Sequence, residues 1–425
     1  VTEGELRRLL EEHSSQHSVP GAALGVLRGA TTMTTYCGVA DTTTGEPVTA
    51  KTRFAIGSLG KAMVATAVAH LAAEGRLAFD DRVAAHVPEL SGAEWAERAT
   101  LRDLMANRSG LPLLAGLEFA DFEGDDDDVL SRFASSVARH EPAGLPWSYT
   151  NAGWCLLGRA IETVTGLTWE DAMAANVLAP LRMGQTTFAI WPAAEPRASG
   201  HGIVDGRSVP VERWTPRALG PAGSTPLSTV TDMLRFAQAH LDDSPLAGLR
   251  VTQAEVRIAA WLDAWCLGWA RFDWDAGPVW GWDGLVSGDR AILRLLPEQG
   301  GAVVLLTNGE RGRALYRSLF PELVNSLFGV GMPALRLEPS PPAAGDLARF
   351  AGSYAWPDRC LEVSATDAAL MLESEQETVE AVALDERTFL VDADDPDNPT
   401  VTFGAFDESG RPGVLYEMLW GLPRV

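Results

Sequence analysis

Gly57-Ser58-Leu59-Gly60-Lys61, followed by the apolar run from Ala62 to Leu77, is the stretch whose reading decides the rest. The chain contains two lysines, Lys51 and Lys61, and writes its other basic positions as arginine. One of the two stands three residues after a serine, at the expected first turn of a helix. Positions i and i+3 share a helix face, so the Ser58 hydroxyl and the Lys61 amine can meet. An arginine could not serve there as a base, because a guanidinium keeps its proton, whereas a desolvated amine can accept one. Read alone, Ser-x-x-Lys is a weak pattern, and a surface lysine near a helix start fits it as well.

Working outward, Phe54-Ala55-Ile56-Gly57 leads into the Ser58 helix, which is expected to run to about Glu74 and stop at Gly75. Upstream, residues 5 to 15 read as an amphipathic helix broken by Pro20-Gly21. Ala22 to Val26 and Met33 to Val39 then read as a hairpin turning at Arg28-Gly29-Ala30. Downstream, Thr100 to Met105 is a short capped helix, and Leu130 to His140 another. Ser148-Tyr149-Thr150-Asn151 opens a helix from Ala152 to Thr165 with Gly166 as its C-cap. Residues 181 to 220 carry few regular signals, and Ser228 to Leu241 is helical. Strands are expected at Gly268–Phe272, Asp289–Leu296 and Ala302–Asn308, with Gly281 to Gly288 between the first two and a helix from Ala314 to Phe328 after the last. Pro339 to Ala344 has linker composition, and residues 346 to 425 alternate as a small antiparallel β domain should.

Composition bounds the function. Of 425 residues, 46% are hydrophobic and 21% charged, which describes a globular chain of two or three domains with ample core. A formal charge of -23 argues against nucleic acid and anionic membranes as partners. The acidic run Asp125 to Asp128 reads as a solvated loop. No apolar segment reaches membrane-spanning length, and the acidic opening Val1 to Glu5 does not read as a signal peptide, so the expectation is a cytoplasmic protein or one whose signal has been removed, the first being preferred. Cys37, Cys155, Cys266 and Cys360 follow no metal or redox spacing and read as free buried thiols. His13 and His17, four apart, read as part of a solvated helix face. No metal and no cofactor are expected.

Three stretches could build one acyl-transfer site. Ser58 would be the nucleophile, at a helix N-terminus that favours an oxyanion. Lys61 would be its base, or would tune a second one. Tyr149 could move a proton between serine and leaving group, and Asn151 could orient lysine or substrate. Each has an ordinary alternative: a half-buried aromatic for Tyr149, an N-cap for Asn151, and an Asp-Gly turn for Trp282-Asp283-Gly284.

Ser58-Leu59-Gly60-Lys61, Tyr149-Thr150-Asn151 and a late Gly-rich element before a strand pair, in this order, resemble the penicillin-recognising serine hydrolases, in particular the class C β-lactamase and esterase branch. Thr52 to Gly57, Leu77 to Asp81, Leu104 to Pro112, Pro221-Ala222-Gly223 and Pro297 to Gly309 add to the resemblance, which covers roughly residues 5 to 330. It implies an α+β fold, an antiparallel sheet flanked by helices with a helical subdomain, and the site between them. The C-terminal part resembles the lipocalin-like barrel appended to some members. The expected division is a hydrolase or transacylase domain over 1–335, a linker over 336–345 and the β domain over 346–425. The resemblance also implies an oxyanion hole formed by the N–H groups of Ser58 and Leu285.

The third motif departs from the family. Where a Lys-Thr-Gly or His-x-Gly is usual, this chain has Trp282-Asp283-Gly284. The usual cation helps hold a substrate carboxylate, so efficient β-lactam hydrolysis is not expected, and a substrate neutral at that end could stack on Trp282. Trp280 has the same strand parity and would extend an aromatic wall beside it. The other tryptophans of the region, Trp261, Trp265, Trp269 and Trp274, read as packing. The expected function is an intracellular serine esterase or transacylase working through an acyl-enzyme. It would act on a small-molecule ester, thioester or amide donor, with water or an amine or alcohol acceptor. Some intracellular members of the family transfer acyl groups in natural-product assembly. An amidase or D-amino-acid peptidase, with Asp283 receiving a free amine, is the runner-up, followed by a non-catalytic binding protein and a β-lactamase proper.

Overall fold

The computed structural model describes residues 2–112, 128–188, 196–213, 216–241, 245–258, 261–335, 337–338, 347–356, 359–395, 397 and 399–425. Most of the acidic run at 125–128 and of the linker at 336–345 lies outside them.

The chain opens with α1 (Glu3–Gln16), capped by Thr2 and Glu5 in a reciprocal capping box. The hairpin follows as β1 (Gly21–Arg28) and β2 (Thr31–Gly38). Two short pairs, β3 (Phe54–Ala55) with β6 (Leu227–Ser228) and β4 (His201–Val204) with β5 (Arg207–Pro210), tie loops to the sheet. The second pair is the structure that the polar region 181–220 did not announce. The main sheet continues through β7 (Ala254–Ile258), β8 (Leu262–Trp265), β9 (Ala270–Trp274), β10 (Gly277–Val286), β11 (Asp289–Leu296) and β12 (Gly301–Thr307). Its eight strands are antiparallel and run β2-β1-β12-β11-β10-β9-β8-β7, so the first hairpin closes onto the last strand.

The central strands are buried almost end to end because helices cover both faces. Val26 and its neighbours in β1 and β12 pack under α9 (Val230–Leu241). α1 and α10 (Gly312–Phe328) pack together on the sheet. The helical part comprises α2 (Gly60–Ala73), α3 (Val83–His86), α4 (Glu94–Arg98), α5 (Leu101–Met105), α6 (Val129–Val137), α7 (Ala152–Thr165) and α8 (Trp169–Met173). α2 is apolar on nearly every side and accordingly sits buried, packed on α7 and on the turns around it.

The third motif lies in a strand, as the shared parity of Trp280 and Trp282 assumes, and not in the Asp-Gly turn that is its ordinary alternative. β10 carries Trp282-Asp283-Gly284 in register with Leu293, Ile292 and Ala291. The turn falls later, at Ser287-Gly288, where both residues have positive φ, 43° and 83°, as a two-residue hairpin of this hand requires. β7 and β8, not foreseen, add two strands at the tryptophan-rich edge.

The C-terminal residues form a second eight-stranded antiparallel sheet: β13 (Gly352–Trp356), β14 (Arg359–Ala365), β15 (Leu370–Glu373), β16 (Thr378–Ala383), β17 (Thr388–Leu390), β18 (Thr400–Phe406), β19 (Pro412–Glu417) and β20 (Trp420–Pro423). Arg424 bridges back to Tyr354 of β13, which makes a nearly closed up-and-down barrel. Its interior holds Phe350, Tyr354, Phe389, Phe403 and Leu415.

Two smaller expectations change. His13 and His17 are not on a solvated face: Nδ1 of the first and Nε2 of the second lie 2.8 and 2.9 Å from Ser318 Oγ of α10. Cys37, Cys155 and Cys266 are free and buried, but Cys360 is exposed. Among the described residues no helix is long and apolar enough to cross a membrane.

Candidate active site

Ser58 lies in a 3-10 turn, Gly57–Leu59, that runs straight into α2. Strand β10 presses its backbone against this turn. A side-chain carbon on Gly284 would fall 1.8 Å from the Ile56 carbonyl oxygen, and one on Gly57, whose φ is +51°, would fall 2.6 Å from the Leu285 nitrogen. Only glycine fits either position. The approach brings the Leu285 N–H beside the serine turn, where the family resemblance places its two oxyanion donors, Ser58 and Leu285. The Leu285 side chain itself points to solvent, 54% exposed.

Lys61 is fully buried one turn along. Its Nζ lies 3.0 Å from Ser58 Oγ and 2.9 Å from Asn151 Oδ1, and a further short hydrogen bond reaches the Ala222 carbonyl. Three acceptors satisfy the three protons of an ammonium, which is how a charge survives burial beside apolar helices. The same geometry suits the neutral amine. It would donate to Asn151 and Ala222 and turn its lone pair to the Ser58 hydroxyl, so a proton can cross 3.0 Å without rearrangement. The neighbouring Cys155 offers no rival nucleophile, since burial pushes its thiol up to about 12.

Asn151 occupies the N-cap position of α7, yet its side chain makes no cap. Thr150 takes over: its Oγ accepts from the Ala152 N–H at 3.2 Å and donates to the Pro112 carbonyl at 3.0 Å. That substitution of roles leaves the Asn151 amide for Lys61.

Tyr149 places its ring 5.0 Å from Lys61 Nζ. The ring packs edge-on to Trp265 (5.8 Å, 81°) and tilted to Trp282 (5.5 Å, 39°). Its hydroxyl is buried and has no hydrogen-bond partner among the described residues.

Trp282 is 2% exposed and stands T-shaped to Trp265, 4.6 Å between ring centres, with Trp261 at 6.1 Å. The aromatic wall next to Tyr149 is therefore Trp282 with Trp265, not Trp282 with Trp280. Trp280 is drawn off to the turn Pro245–Arg250, where its Nε1 donates to the Arg250 carbonyl at 3.0 Å and the Arg250 guanidinium covers its ring. Shared strand parity did not decide the neighbour.

Asp283 is likewise unavailable to a substrate amine. Its carboxylate is paired with Arg294 at 2.6 Å and Arg313 at 2.9 Å. Burial alone would raise it, but the two guanidiniums outweigh burial and hold it below the usual carboxylate range. The structure thus brings Ser58, Lys61, Tyr149, Asn151, Trp282, Gly284 and Leu285 together and turns Asp283 and Trp280 elsewhere. Trp265 and the Ala222 carbonyl join the group. The Pro221-Ala222-Gly223 stretch carried a sequence signal for the second, while Trp265 was indistinguishable from packing. Among the described residues no three His, Cys, Asp or Glu side chains gather in a way that would hold a metal.

Comparison with known proteins follows the same lines. The β-lactamase family model matches residues 6–323. Penicillin-binding protein 4 of Amycolatopsis lactamdurans is 35% identical over 363 residues, covering 80% of this chain and 94% of its own. A β-lactamase of Escherichia coli (strain K12) is 27% identical over 77% of this chain and 86% of its own. Among solved structures, SurE superposes with a TM-score of 0.83 at 28% identity, covering 100% of this chain and 99% of its own, and SurE has also been solved with D-Leu. A class C β-lactamase, at 20% identity and a TM-score of 0.65, shares the fold over 77% of this chain and 98% of its own. The chain belongs to the β-lactamase family, whose members are serine acyl-transfer enzymes.

Proposed function

We propose that this protein is an esterase or transacylase that carries an acyl group on Ser58 between a small-molecule ester, thioester or amide donor and water or a nucleophilic acceptor. The observation that carries the reading is the placement of Lys61 Nζ among Ser58 Oγ, Asn151 Oδ1 and the Ala222 carbonyl. Ser58 Oγ attacks the donor carbonyl as its proton passes to Lys61. The oxyanion is held by the N–H groups of Ser58 and Leu285. Tyr149, its ring 5.0 Å from Lys61 Nζ, protonates the leaving group. The ester on Ser58 then yields to an alcohol, amine or water by the same steps reversed.

Trp282 and Trp265 in place of a third-motif cation favour a donor without a carboxylate at that end. The solved relative with D-Leu favours a D-configured amino-acid residue in the donor and, as a second reading, an amidase or D-amino-acid peptidase. Asp283 does not support a free amine in either case.

The test is intact-protein mass after brief exposure to activated esters of N-acylated D- and L-amino acids, with Ser58→Ala alongside. An adduct on the parent chain alone, faster with the D series, is expected. No adduct from any ester or thioester would instead support a binding protein on the same fold.

A further inference from the structure

From where the C-terminal barrel touches the rest of the chain, we infer that its last hairpin positions Tyr149 and that the barrel is part of the acyl-transfer machinery. The inference rests on the site reading above and extends it to residues 416–421.

The segment Trp147-Ser148-Tyr149 is held on the barrel side by three hydrogen bonds, one per residue. The Tyr416 hydroxyl donates to the Trp147 carbonyl at 3.1 Å, the Gly421 N–H donates to Ser148 Oγ at 3.1 Å, and the Tyr149 N–H donates to the Leu419 carbonyl at 3.1 Å. The rings of Trp147 and Tyr416 add a tilted contact at 6.2 Å. Val414, Tyr416 and Leu419 are buried in the large core that contains Tyr149, Trp265 and Trp282, not in the barrel's own interior. The turn that makes this possible is strained: Glu417 pairs with Trp420, so Met418-Leu419 is a two-residue turn, and Met418 takes φ +55° where glycine is usual. Such a conformation persists where the surroundings over-determine it.

A second grip reaches the third motif. Asp397, from the segment between β17 and β18, pairs with Arg290 at 2.5 Å and Arg313 at 2.8 Å. Arg313 also holds Asp283, one residue from Trp282. The barrel thus contacts the chain immediately around two of the three motifs, and its hairpin fixes the backbone from which the Tyr149 phenol reaches the leaving group.

A positioning role is separable from simple stabilisation by the leaving group. A p-nitrophenolate departs without a proton, whereas an alkoxide needs one, so misplacing Tyr149 harms the alkyl ester selectively. Full-length Tyr416→Phe and Asp397→Asn variants are compared with the parent and with Tyr149→Phe on the p-nitrophenyl and ethyl esters of one acyl group. Tyr416→Phe is expected to lower kcat/KM on the ethyl ester about tenfold or more while changing the p-nitrophenyl ester less than about twofold, a ratio moving in the direction of Tyr149→Phe. Asp397→Asn is expected to move the ratio the same way by a smaller factor. Equal losses on both esters in both variants, or no loss in either, overturn the inference. Failure of the parent to acylate with either ester overturns the site reading itself, and the inference with it.

Discussion

Lys61 and Trp282 are the two residues whose chemistry most constrains this site. Lys61 is one of two lysines in the chain, and its amine meets three acceptors that a planar guanidinium could not reach in the same geometry. Trp282 contacts Tyr149 and Trp265 and brings no charge to the place where relatives of this motif pattern use one. Replacing it with histidine removes an aromatic contact worth about 0.5–1.5 kcal/mol and introduces a group that can hold a carboxylate. Trp282→His is expected to lose about three- to tenfold in kcat/KM on the neutral ester that best acylates Ser58, and to form a benzylpenicillin adduct faster than the parent. Stopped acylation mixtures read by mass check both arms. A variant that gained on the neutral ester would remove the apolar wall from the account.

At the scale of elements, α7 does two jobs. Its first turn presents Asn151 to Lys61, and its last turns anchor α8 through Glu162. Glu162 Oε1 accepts from the Trp169 N–H at 3.0 Å, while Arg159 approaches the other oxygen at 3.4 Å and is itself held by Glu89 at 2.9 Å. Burial raises the Glu162 carboxyl from its ordinary 4.5 to about 7, with Arg159 pulling it back only in part. The raised value means that between those two pH values the folded chain keeps a proton that the unfolded chain has released. Stability from this group therefore falls as pH rises from 4.5 to 7 and is level above that. Glu162→Gln keeps the acceptor for Trp169 and never ionises. Its stability advantage over the parent is expected to be absent near pH 4.5 and to grow to roughly 1–3 kcal/mol by pH 8, read from urea midpoints across that range. A gap independent of pH would mean that the carboxyl titrates as an ordinary one. The helices on which these side chains ride were legible in sequence, because capping signals at Thr100 and Gly166 and the apolar run after Lys61 are local. Strand β10 was less so. Asp283-Gly284 has the composition of a turn, but Gly284 is there because the Ile56 carbonyl occupies the space of a side chain, a constraint set by a segment more than 200 residues away. Asn151 was legible only as one of two alternatives, and Thr150 decided between them by taking the cap.

Across the whole molecule, the barrel was legible as an antiparallel domain from its alternation, and its purpose was not, since nothing local in 414–421 says that these side chains complete another core. Trp265 was opaque for the same reason: a buried tryptophan in a strand looks alike whether it supports a sheet or a reacting phenol. The arrangement has a consequence for folding. Phe350, Tyr354, Phe403 and Leu415 give the barrel an interior of its own, which alone would let it melt independently. Leu419, 6% exposed, sits instead in the core of the larger part, with its carbonyl on the Tyr149 N–H. Truncating it to alanine is expected to cost about 2–5 kcal/mol. Because that residue belongs to the hairpin of one part and the core of the other, the loss should be shared. Hydrogen exchange followed by mass at increasing urea is expected to show β19–β20 and the Trp147–Thr165 region opening together in the parent chain, and together at lower urea in Leu419→Ala. Exchange of the barrel strands well before the Tyr149 segment, with Ser58 still acylating, would show that the larger part holds its site without the barrel.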